Sequence, residues 1–257
     1  MIHLSVITIS YQSEDTIRDT MLSVLKQNYR PLQYVLIHRD STDKTEEIIN
    51  ELIPQFESAG IDIVYISEPD QGISDAFNKG IANSNGEVIG ILNSGDSYEE
   101  NILEKVMSYD WNKFDLLCGN ILWDDRANGI KYTRKSHIAW WRLRLEMTVM
   151  HPSCFVKKSV YDECGLYDLS FKYAMDYDLL CRFHRMNKVF FYVPFIIAHV
   201  SAGGISDVDI NRTKKEIMLV NKENNVNRLN SELHWLWLKL RHSLSALLKK
   251  KKIFIKK

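Results

Sequence analysis

Apolar and polar positions alternate in a regular way through the first hundred residues. Leu4–Ile9 is a β-rich run of the kind shown by a strand buried on both faces. Ser13, Glu14 and Asp15 read as a helix start, followed by Ile17, Met21, Val24 and Leu25 at helical spacing. Tyr34–Ile37 predicts a second strand. Asp43 with Glu46 resembles a capping box, and Ile48, Ile49, Leu52, Ile53 and Phe56 then mark one face of a helix. Ile61–Ile66 predicts a third strand, Ser74–Ala82 a short helix and Val88–Leu92 a fourth strand. This order predicts an α/β fold with a doubly wound, mostly parallel sheet. The second half is less regular. Asp115–Leu122 and Lys188–Val193 read as strands, Val156–Cys164 as a short helix and Tyr177–Met186 as an amphipathic helix. No internal repeat or low-complexity segment occurs before residue 230.

In such sheets ligands bind beyond the carboxyl ends of the strands. Those ends carry polar clusters here: Ser10–Glu14, His38–Asp43, Glu68–Asp75 and Asn93–Asp96. The length, 257 residues, suits one large domain or two lobes sharing a core. Formal net charge is zero, so no global field draws the chain to nucleic acid. The four cysteines, Cys118, Cys154, Cys164 and Cys181, have neither a CxxC pair nor metal-ligand spacing, and read as buried, reduced thiols. The chain opens almost directly on a strand-like run with no basic leader, and no window is long and apolar enough for a spanning helix. A cytoplasmic location follows as the expectation.

Several short segments together carry a resemblance over roughly residues 2–206. They are Ser5–Tyr11, Ser41-Thr-Asp43, Glu68–Gly80, Leu92-Asn-Ser-Gly-Asp96, His151-Pro-Ser153, Asp176-Tyr-Asp178 and Gly203-Gly-Ile-Ser206. In that order they resemble the inverting family 2 glycosyltransferases of the GT-A fold, especially the small bacterial enzymes of capsule, O-antigen and colanic-acid-type assembly. The resemblance implies a nucleotide-sugar-binding half, 1–97, and an acceptor and catalytic-base half of the same domain, 98–222. It also implies an inverting hexosyltransferase that uses a UDP-sugar, with a GDP-sugar as the second expectation.

The resemblance places a metal ligand at Asp96. Mg²⁺ or Mn²⁺ needs only one or two carboxylates when substrate phosphates complete its shell. Ser10, Tyr11, Glu14, Asn93, Gly203 and Gly204 are implied donor contacts, the paired glycines because backbone N–H groups can approach a diphosphate there. Asp75 is implied near the nucleoside. Lys79, four residues on along the same helix face, is either a donor contact or the partner in a surface ion pair. Where relatives carry a base-reading Asp, this chain has His38, and the expectation is that His38 and Asp40 read the base together. His151 is implied near the acceptor or the donor sugar, and His199 as an additional metal ligand. Asp176 is implied as the catalytic base that takes the proton of the acceptor hydroxyl. Residues two apart do not share a helix face, so Asp178 is expected to be structural. The residue before the base is usually acidic or small in relatives, and here it is Met175.

Residues 223–257 form a basic amphipathic tail. From Lys239 to Lys257 there are eight Lys or Arg residues and no acidic one, with Trp235, Trp237, Leu240, Leu244, Leu247 and Leu248 on the apolar side. The stretch 232–257 either lies on the anionic inner face of the cytoplasmic membrane, beside a lipid-linked glycan acceptor, or packs on the body with a loose end. Two competing functions remain. A nucleotidyltransferase would need a triphosphate loop rich in Gly and Lys or Arg, and Ser10-Tyr-Gln-Ser-Glu14 lacks one. A non-catalytic sugar-nucleotide-binding scaffold would fit His38 but not the retention of Asp96 and Asp176.

Overall fold

The run near the amino terminus forms β1 (Leu4–Ser10), flanked in space by β2 (Leu32–His38), β3 (Asp62–Ser67) and β4 (Val88–Ile91). The computed structural model describes residues 1–125, 128–202 and 209–240. Further strands are β5 (Ser97–Tyr98), β6 (Leu116–Asp125), β7 (Ile130–Arg134), β8 (Cys154–Lys157) and β9 (Phe190–Ser201). Among the described residues all nine lie in one sheet, ordered β3-β2-β1-β4-β8-β6-β9-β5, with β7 paired to β6. The β3-β2-β1-β4 part is parallel throughout. The later strands mix directions: β8 runs antiparallel to both β4 and β6, and β9 runs parallel to β6.

Helices cover both faces, as continuous apolar strands require. Successive residues of one strand point to opposite faces. Val6 and Leu36 accordingly join a cluster with Met21 of α1 (Ile17–Leu25), Leu52 of α2 (Thr45–Ser58) and Leu103 of α4 (Ile102–Met107). Ile7 and Ile37 join Phe77 of α3 (Ile73–Ala82), Leu143 of α5 (Trp140–Leu143), Tyr161 of α6 (Lys158–Cys164) and Leu180 of α7 (Met175–Arg185) on the other face. Helix α3 packs close on β1: a Cβ at Gly80 would meet Ile7 Cγ2 at 2.4 Å, so only glycine fits there.

Several features differ from the sequence expectation. Val156 belongs to β8, not to the helix expected over Val156–Cys164. An apolar run as short as Cys154–Val156 has no periodicity to separate a buried strand from a helix. Strand β9 continues past Pro194 to Ser201 instead of stopping at Val193, because irregular register against β6 between Cys118 and Ile121 accommodates the proline. The capping box does not form. Asp43 Oδ1 accepts from the Thr45 amide at 3.1 Å, but Glu46 reaches across to the Tyr65 hydroxyl at 3.3 Å.

The four cysteines are buried free thiols. Helix α8 (Ile210–Glu223) packs beside α7 and is followed by a second helical stretch over 228–240. That stretch touches the body on one side: Ser231 is buried, Lys214 pairs with Glu232 at 2.6 Å, and His234 lies 3.6 Å from Glu146. Its other side exposes Leu229, Leu233, Leu236, Trp237 and Leu240. No helix among the described residues is long and apolar enough to cross a membrane.

Candidate active site

Sheet topology gathers the candidate residues on one rim. Strands β1, β2 and β4 run in one direction and end at Ser10, His38 and Ile91, with Asn93–Asp96 just beyond. Because β8 is antiparallel to β4, with Gly90 opposite Phe155, its start lies beside the end of β4. The 3-10 turn His151–Ser153 immediately before β8 therefore sits on the same rim. Strands β6 and β9 run antiparallel to β8, so Ser201 ends there too.

Asp96 is buried, with about 7 % of its surface exposed, and burial pushes its carboxyl up to about 7. Its Oδ1 accepts from the Ser201 amide at 3.3 Å, a long bond for a buried carboxylate. The side chain lines a cleft of about 530 Å³ with Glu99, Asp124, Lys131, His199 and Ser201. His199 Nε2 bonds Glu99 at 2.8 Å. Among the described residues no group of three or more His, Cys, Asp or Glu side chains comes together to enclose an ion. A buried carboxylate with one long hydrogen bond fits a divalent ion held jointly with a phosphate-bearing ligand, and does not fit a self-sufficient metal cage. Gly95 (φ +99°) shapes the turn that presents Asp96. Asn93 Oδ1 is buried without a hydrogen-bond partner.

Asp176 lies in the first turn of α7, with Met175 buried in the core beside it. Its Oδ1 is buried and unbonded, 3.6 Å from His151 Nε2, while about 31 % of the side chain stays exposed. Burial raises the proton affinity of this carboxyl, and His151 opposes the shift. His151 Nε2 also shares a 2.6 Å hydrogen bond with the buried Tyr167 hydroxyl. The segment before α7 is pinned residue by residue. Asn78 of α3 bonds both backbone groups of Tyr167, at 2.9 Å each, and Ser74 bonds the Phe171 carbonyl at 3.2 Å. Asp178 is buried against Arg182 at 2.9 Å, and Arg182 also donates to the carbonyls of Cys164 and Leu166.

On the other side of the rim, Tyr11 is half exposed with the Arg39 guanidinium 4.8 Å above its ring, and Arg39 lies 3.8 Å from Asp70. Glu14 and Asp43 cross-link two loops, with Glu14 N donating to Asp43 at 3.1 Å and Lys44 N to Glu14 at 3.0 Å. Asp75 accepts from the Gln71 amide at 2.9 Å, and Lys79 pairs with Glu68 at 2.8 Å while donating to the Pro69 carbonyl at 2.6 Å. These bonds shape the loop ending at Gly72, whose φ of +121° only glycine adopts readily. His38 is fully buried, its Nδ1 sharing a 3.0 Å bond with Ser10 Oγ and its Nε2 left without a partner. Asp40 is exposed beside it. Gly203 and Gly204 lie outside the described residues.

In the second half, Trp140 stacks on His184 at 4.2 Å and Trp123 is covered by Arg134 at 3.8 Å, whereas Trp141 is 69 % exposed. Sequence reasoning did not find Ser74, Asn78 or Tyr167 as supports for the Asp176 segment.

Residues 5–172 match the family model for glycosyl transferase family 2. The chain belongs to this family. It is 29% identical over 205 residues to an uncharacterised glycosyltransferase of Rickettsia typhi, covering 73% of this chain and 60% of that protein. It is 25% identical over 195 residues to a Mycobacterium bovis protein named PGL/p-HBAD biosynthesis glycosyltransferase, covering 74% of this chain and 73% of the relative. The chain thus spans about three-fifths of the rickettsial relative's length. Among solved structures it resembles Staphylococcus aureus TarS 1-349 in complex with UDP-GlcNAc, with a TM-score of 0.64 at 16% identity, over 85% of this chain and 66% of that one. A mannosyltransferase of Pyrobaculum calidifontis, in complex with GDP-Man and Mn²⁺, gives a TM-score of 0.61 at 13% identity, over 87% and 64% of the two chains. These likenesses establish the GT-A fold.

Proposed function

We propose that this family 2 member transfers a sugar, with inversion, from a nucleoside diphosphate donor to a hydroxyl of a glycan acceptor. The observation that carries the reading is Asp176: one oxygen buried against His151, the rest of the side chain open at the rim, and a proton affinity raised by burial. Such a carboxylate can take the proton of an attacking hydroxyl near neutral pH. His151, held by Tyr167, keeps that carboxylate in orientation.

Asp96 would hold Mg²⁺ or Mn²⁺ on the donor diphosphate, where the ion stabilises the charge leaving with the nucleotide. Ser10, Tyr11, Asp40, Asp75 and Asn93 line the rim on the donor side. Because His38 is sealed beneath Ser10, Asp40 would meet the base and His38 would act from behind, through Ser10. Glu14 and Lys79 hold the loops that shape the donor side. A UDP-sugar is the leading donor and a GDP-sugar the second, consistent with the nucleotides in the neighbouring structures.

A lipid-linked acceptor in surface polysaccharide assembly, met at the inner face of the cytoplasmic membrane, completes the reading. Its support is the exposed Leu229, Leu233, Leu236 and Leu240 row, at helical spacing, joined to the basic run that follows it. Thermal-shift screening of nucleotide sugars with and without Mn²⁺ tests the donor claim. A UDP- or GDP-sugar is expected to raise Tm only with the metal, and Asp96→Asn is expected to remove the shift. A shift of equal size without metal would contradict the role given to Asp96.

A further inference from the structure

Helix α7 carries the proposed base but brings no cap of its own. Its N-cap residue is Ala174, which has no side-chain acceptor, although the orphan N–H groups at a helix start need one. For the N-cap amide and the two amides before it, an acceptor arrives from α8. Glu216 Oε2 accepts from the amides of Tyr173 at 2.7 Å and Ala174 at 2.8 Å. The Lys172 amide lies 3.1 Å from both Glu216 oxygens. Three successive backbone donors thus converge on one carboxylate, the arrangement by which backbone nests bind anions. The segment they belong to ends two residues before Asp176.

We infer that Glu216 is a positioning residue for the Asp176 base, acting through the backbone of Lys172–Ala174. Around it, Arg182 fixes the Leu166 carbonyl, Asn78 fixes Tyr167 and Ser74 fixes the Phe171 carbonyl. Glu216 closes this series at the backbone just before α7, reaching it from α8, where Arg212 also bonds the Tyr173 side chain. Farther along, α8 meets α7 again through Tyr177–Asn221 at 2.6 Å and Arg185–Glu223 at 3.3 Å. Tyr177 is next to Asp176 within α7, so Asn221 steadies the helix body there, whereas Arg185–Glu223 docks the two helices away from the base. Misplacing a reacting group by about 1 Å can cost about 10²-fold in rate, so a lost anchor next to the base shows in kcat.

This inference rests on the transferase reading, so the test separates the two. Glu216→Gln, Glu216→Ala and Glu223→Gln are made in the full chain. Steady-state kinetics with a donor and acceptor pair turned over by the unmodified chain are read beside hydrogen exchange of the 172–174 amides. Positioning predicts that Glu216→Ala lowers kcat by about tenfold or more with donor KM within about twofold. Glu216→Gln, which keeps one accepting oxygen, falls between it and the unmodified chain, the three amides lose protection, and Glu223→Gln behaves as the unmodified chain. Unchanged kcat in Glu216→Ala overturns the inference. So does an equal loss in Glu223→Gln, which would mean that Glu216 serves only to dock α8. If no donor is turned over by the unmodified chain, the transferase reading is what fails, and amide exchange still reports whether Glu216 caps α7.

Discussion

As the proposed base, Asp176 meets two opposing demands. Its carboxylate must be charged to accept a proton, yet burial of Oδ1 disfavours that charge. The folded state therefore holds this proton to higher pH than the unfolded chain does, and the stability connected with it is complete at low pH. It is lost as pH rises from the ordinary carboxylate range, near 4, through the raised folded value. Asp176→Asn, which mimics the protonated form, is expected to raise Tm relative to the unmodified chain at pH 8, with the difference vanishing below about pH 4. Thermal melts across pH check this, and a lower Tm for the variant at pH 8 would contradict it. The same proton affinity sets the acid limb of kcat above the usual carboxylate range, measured as a pH–rate profile of the unmodified chain.

At the scale of elements, α3 is the support from which the segment before Asp176 hangs. Asn78 answers both backbone groups of Tyr167, and its neighbour one turn earlier, Ser74, answers Phe171. Asn78→Ala leaves two backbone groups unpaired and is expected to cost about 1–3 kcal/mol, read from urea denaturation at unchanged m value. A midpoint equal to that of the unmodified chain would show that this clamp contributes nothing. The strands β1 to β4 were legible because each is a β-rich run closed by polar residues, and the helices between them repeat at helical spacing. Strand β8 was not, since Cys154–Val156 is too short to show a period, and Pro194 hid the continuation of β9. The proposed site was legible where the family resemblance marks a particular side chain, as at Asp96, His151 and Asp176. Ser74, Asn78 and Glu216 were not, because their partners are backbone groups 42 to 97 residues away, and such bonds ask nothing of the partner's sequence.

For the molecule as a whole, one rim collects the ends of both halves of the sheet, and the proposed transfer would bring donor and acceptor together there. The helix over 228–240 is docked through Ser231, Glu232 and His234 and presents its leucine row outward. A chain ending at residue 240 keeps that docking and removes most of the basic run. It is expected to lose most of its flotation with anionic vesicles while keeping the Tm of the full chain, and unchanged flotation would contradict the membrane reading. In the proposed reading Asp176 drives sugar transfer. The most direct measurement is nucleoside diphosphate release from a panel of UDP- and GDP-sugars in Mn²⁺, comparing the unmodified chain with Asp176→Asn. The account predicts turnover of at least one donor by the unmodified chain and a loss of about 10²–10⁴-fold in the variant. Turnover of the variant at the unmodified rate, or of no donor by either chain, would contradict it.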